Sequence, residues 1–146
     1  MGCYLLLSAI SASATADTKT YHRLVLDAPD VPTWFFADAV RAAIKADVRV
    51  FHCFHARDEA VEISRQRRGL DFPVPGNGAV VKNLPGFTAL DCANARASLG
   101  NHDYGRLDHT CVAEQANFLD GNRAEGRPNV DHGDAAFGLW VLRKQA

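Results

Sequence analysis

Residues 32–54, PTWFFADAVRAAIKADVRVFHCF, constrain the fold of this chain more than any other stretch. Phe36, Val40, Ala43 and Ile44 recur at helical spacing, while Asp38, Arg41 and Lys45 share the opposite stripe. Pro32 is pre-organised for a first helical turn. The spacing predicts a helix over 33–46, packed against a core. Immediately after it, residues 48–54 (VRVFHCF) read as a strand. A helix that runs straight into a strand calls for a sheet with helices packed against it.

The flanking segments extend this pattern. Residues 3–10 (CYLLLSAI) and 21–26 (YHRLVL) read as two strands, joined by a Ser/Ala/Thr loop that suits an antiparallel connection. Residues 57–68 predict a helix with acidic residues at its start, basic ones at its end and Gly69 just beyond. That polarity complements the helix dipole, and glycine supplies a left-handed stop. It also accounts for Arg65, Arg67 and Arg68 without a phosphate or nucleic-acid patch. Residues 72–78 are a turn leading into a short strand at 79–82. Residues 88–99 read as a helix, opened by Thr88 and Asp91 at near capping-box spacing and closed by Gly100. Another helix is expected over 111–119, with a strand over 107–113 as the alternative. Residues 121–134 form a polar loop, and 137–142 (FGLWVL) a central strand covered on both sides. The expectation is an α+β fold in a single domain over residues 1–146, with a mixed or mostly antiparallel sheet of about five strands and three or four helices.

A chain of 146 residues is long enough to bury a core without disulfide or metal support. A net charge of −1 and a pI near 6.6 argue against a nucleic-acid footprint. No apolar run approaches 18 residues, which excludes a membrane-spanning helix. The four cysteines lie far apart with no CxxC, which suits reduced thiols and the cytoplasm. Ala14, Thr15 and Ala16 have the pattern of a signal-peptidase site, so a secreted or periplasmic protein lacking 1–16 is the alternative.

The chemistry-bearing groups concentrate in residues 101–134, which hold His102, Asp103, His109, Cys111 and His132. Imidazole, thiolate and carboxylate bind metals and move protons near neutral pH. Cys111 stands near the start of a predicted helix, capped by Thr110, where a thiol is acidified, and His109 is two residues away. Cys111 and His109 are the candidate catalytic pair. His102, Asp103, His109 and His132 are the candidate ligands of a divalent metal such as zinc. Gly100-Asn101-His102-Asp103 resembles the GNHD tetrapeptide of metallophosphoesterases. The family's Asp-x-His, Gly-Asp-x-x-Asp and Gly-His-x-His motifs are absent, so its residue roles are not carried over. His52 and His55 alternate to opposite faces of a strand, which predicts a buried, hydrogen-bonded His52 in place of a chelating pair. Trp34, Phe35 and Phe36 are expected in the core, and an exposed one would mark a pocket or partner surface.

No catalytic signature accompanies this well-formed core. The functional expectation is therefore a soluble protein that binds a small molecule or protein partner without catalysis, with no nucleic acid or membrane. The alternative is a metal-dependent hydrolase or related enzyme that uses the 101–134 stretch.

Overall fold

The computed structural model describes residues 2–13, 21–70, 74–82, 84–95, 102–122 and 127–144. The helix expected at 33–46 spans Thr33–Lys45 (α2); of the predicted stripe, Phe36, Val40 and Ala43 are buried and Ile44 is partly buried. Asp47 then takes a left-handed φ of +59° and turns the chain into β2, Arg49–Phe54. Asp tolerates that conformation better than most residues, so only three residues separate helix from strand.

Strand β2 pairs in parallel with β1 (Arg23–Asp27) on one side and β3 (Phe87–Asp91) on the other. β5 (Leu139–Leu142) continues the parallel set beside β3, and β4 (Val130–His132) closes the edge antiparallel to β5. The order is thus β1-β2-β3-β5-β4, a five-stranded mixed sheet in an α+β fold. The antiparallel share is confined to that one edge pair.

Alternation along the strands sorts the core into two faces. Leu24, Leu26, Val50, Phe54, Phe87 and Ala89 meet α2 on one face. Phe51, Cys53, Leu90 and Leu142 meet Tyr104, Cys111 and Phe118 on the other, from α4 (Tyr104–Leu107) and α5 (His109–Leu119). His52 lies among Phe36, Phe54 and Phe87 on the first face, fully buried, with Nε2 2.6 Å from the Pro75 carbonyl. Burial holds its pKa down to about 4, so the neutral ring donates that bond. α3 (Glu59–Arg68) starts at Asp58, whose side chain accepts from the Val61 amide, and ends at left-handed Gly69. The polarity read from the sequence is therefore that of a capped helix.

Several expectations are overturned. Residues 3–10 are not a strand but part of α1, Gly2–Ser13, which packs on α2 with Leu7 and Ile10 buried. A short apolar run fits a helix as well as a strand, and here neighbouring α2 decides. Residues 88–95 do not begin a helix: they form most of β3 and a following turn, while 96–100 lie outside the described residues. Residues 79–82 make no strand. The segment 137–142 does hold a strand, but it lies next to the edge, and Leu139, Trp140 and Val141 are only partly buried. Trp34 is not core either; it is 68% exposed beside a shallow cavity of about 700 Å³. Ala14, Thr15 and Ala16 lie outside the described residues, and no described helix is long and apolar enough to cross a membrane.

Candidate functional site

The parallel strands end at one edge of the sheet, and the reactive side chains gather there. β1 ends on Asp27, β2 brings Cys53 and then His55, and β3 ends on Asp91 with Cys92 next. Ligands of open parallel sheets bind outside these carboxyl ends. α5 directs its first turn at the same edge and delivers Cys111.

Cys53, Cys92 and Cys111 are fully buried, and their sulfurs all lie within 4.8 Å of one another. The Cys92 and Cys111 sulfurs are 3.3 Å apart without a disulfide. The Gln115 amide, one turn along α5, lies 3.8 Å from the sulfurs of both Cys53 and Cys111. Hydrogen bonds donated by the Cys53 thiol, then the Cys92 thiol, hold the Cys111 pKa down to about 5, with Gln115 assisting. Burial pushes Cys53 and Cys92 well above the usual thiol range. The cluster thus favours one thiolate flanked by two thiols.

The cause of this acidity differs from the one the sequence suggested. Asp108, not Thr110, caps α5, and its carboxylate accepts from the Thr110 and Cys111 amides at 2.9 Å. Its negative charge opposes the thiolate. The neighbouring thiols supply the acidity instead.

A second layer of acid–base groups borders the sulfurs. The Asp27 carboxyl is pushed up to about 6, first by burial and then by the Cys111 charge, while a hydrogen bond from the Tyr104 hydroxyl opposes the shift. Gly105 makes room for it, since a Cβ there would stand 1.6 Å from Asp27 Oδ2. His102 Nδ1 lies 2.9 Å from Oδ2 of the buried Asp58, which leaves the rest of the ring exposed. Burial lowers the pKa of His55, whose ring packs 5.4 Å from Tyr104 and whose Nδ1 accepts from the Arg57 amide.

Of the residues singled out in the sequence, Cys111 and His102 stand at this edge. Asp103 precedes α4, where its carbonyl accepts from Arg106 and Leu107. His109 is exposed at the start of α5. His132 is exposed on edge strand β4, its ring 4.8 Å from Trp140. Among the described residues, Cys53, Cys92 and Cys111 form the group close enough to share a metal ion, and none of the four candidate ligands joins them. Asp134 accepts from the Ala136 amide, which is the turn chemistry of its segment. Gly100 and Asn101 of the GNHD tetrapeptide lie outside the described residues.

Sequence reasoning missed Cys53, Cys92, Asp27, Asp58 and Tyr104. One signal was present: the apolar runs RLVLD and FTALD both end in aspartate, where a parallel strand opens onto a site. Comparison with protein-family models, curated proteins and solved structures finds no match to this chain.

Proposed function

We propose that this protein binds a thiophilic d10 metal ion, with zinc as the working case, through Cys53, Cys92 and Cys111. The observation that carries the reading is the convergence of three free sulfurs, from β2, the end of β3 and α5, within 4.8 Å of one another. A tetrahedral ion with Zn–S bonds near 2.3 Å would space its sulfurs roughly 3.8 Å apart. The cluster is compatible with that spacing, with Cys92 and Cys111 at 3.3 Å and all three sulfurs within 4.8 Å of one another. Thiolates in a dry pocket select zinc or cuprous ion over harder cations. Buried cysteines also pack as small hydrophobes, and the Gln115 amide that reaches two of them also donates to the Gly105 carbonyl at 3.4 Å, so the reading rests on the convergence of the sulfurs.

The test is metal retention. Protein exposed to zinc and then dialysed should keep about one equivalent, and cobalt should give an intense thiolate-to-metal charge-transfer band. Each Cys→Ser variant should weaken both. A folded parent that retains neither metal refutes the reading.

A second reading, a metal-dependent hydrolase, is favoured by Asp27 and the Asp58–His102 pair beside the sulfurs. Three protein ligands leave a fourth position for water or substrate, the pattern of catalytic zinc, and a carboxyl poised at about 6 suits proton transfer. Zinc-loaded protein should then hydrolyse activated esters with a pH profile that Asp27→Asn abolishes. Zinc binding without such turnover would leave the first reading standing alone.

A further inference from the structure

α5 has a second functional end. Its first turn meets the cysteines, while its last turn lies over the opposite edge of the sheet, where the strands begin. There a cavity of about 300 Å³ opens between α5 and the sheet. Its walls are aromatic: Phe51 of β2 stacks on Phe118 of α5 with ring centres 4.9 Å apart, and Trp140 of β5 lies alongside. Its rim is basic, formed by Arg23, Arg49 and Arg127.

The arginines do not share one explanation. Arg127 is neutralised by the buried Glu114 and also donates to the Asn122 carbonyl. Arg23 donates to the Leu119 carbonyl at 2.7 Å, where a cation complements the C-terminus of α5. Gly121 gives that guanidinium room, because a Cβ there would stand 2.5 Å from it. Arg49 is exposed and sits directly beside Arg23 in the parallel register of β1 and β2. Like charges side by side on neighbouring strands repel. Among the described residues neither Arg23 nor Arg49 has a carboxylate within ion-pair distance. Among the described residues the rim therefore presents two guanidiniums without a carboxylate partner, Arg23 also meeting the C-terminus of α5, over an aromatic slot that Thr88 helps to line.

We propose that this cavity binds a small aromatic phosphomonoester, such as a nucleoside monophosphate, with Arg23 and Arg49 on the phosphate and the ring against Trp140 and Phe51. Paired guanidiniums match phosphate oxygens in charge and fork geometry. A volume near 300 Å³ lies at the small end of ligand sites and admits a mononucleotide or less. The site is independent of the metal reading, because Phe51 and Phe118 separate it along α5 from the sulfurs.

Trp34 and Trp140 are the two tryptophans, so a Trp34→Phe background leaves Trp140 as the reporter. In that full-length protein, AMP and phenyl phosphate should change Trp140 fluorescence saturably, and more weakly at high salt. Adenosine should bind at least ~100-fold more weakly, and Arg49→Gln, a change at an exposed position, should weaken AMP by at least ~10-fold. Three results would each overturn the proposal: no binding of either phosphomonoester at millimolar concentration, adenosine binding as well as AMP, or an Arg49→Gln protein with parental affinity. Inorganic phosphate binding as tightly as AMP would overturn the aromatic part of the assignment.

Discussion

The Sγ atoms of Cys92 and Cys111 lie 3.3 Å apart, one just beyond the end of β3 and the other in the first turn of α5. With Cys53 they form a buried cluster in which Cys111 is acidified to about 5 and its two neighbours are held protonated by burial. Zinc binding near neutral pH should therefore expel about two protons rather than three. Calorimetric titration in buffers of different ionisation enthalpy counts them. Three protons would show that Cys111 is not a thiolate, and none that the metal does not sit on the thiols.

Asp27 should cost the fold stability for the sake of its site. Its carboxyl rises from 3.8 to about 6 in the folded protein. Its contribution therefore favours folding fully below pH 3.8, weakens as pH rises and is lost above pH 6. Asp27→Asn stays neutral and should be more stable than the parent by about 1–3 kcal/mol near pH 7. That advantage should vanish below pH 3.8. Denaturant melts at the two pH values measure the difference, and equal offsets at both would contradict the assignment.

Gly105 should tolerate no side chain while Asp27 is present. A Cβ at 105 would overlap the Asp27 carboxyl at 1.6 Å. Gly105→Ala should destabilise the fold by about 2–4 kcal/mol. The same change in an Asp27→Gly background should lose most of that penalty, so a double-mutant cycle reports the contact directly. Additive effects would place the clash elsewhere.

Val40 is fully buried on the face where α2 meets the sheet. Val40→Asp places an unpaired charge there and should cost about 4 kcal/mol or more, read as a collapse of Tm. Ile63→Asp, at an exposed position of α3, serves as the control and should leave Tm within a few degrees.

The sequence alone determined the elements whose pattern is unambiguous over several turns or pleats. α2 follows from a 3.6-residue stripe, α3 from its charge polarity and Gly69, and the opposite-facing His52 and Cys53 from the two-residue period of β2. Tertiary structure decided the rest, for two physical reasons. The runs at 3–10 and 88–95 are short and compatible with either period, so α1 is settled by packing on α2, and β3 by hydrogen bonding between β2 and β5. The candidate site is a matter of distance between residues far apart in the chain. Cys53, Cys92 and Cys111 share no spacing motif, and only the parallel sheet, by ending β2 and β3 at the edge where α5 begins, brings their sulfurs within 4.8 Å.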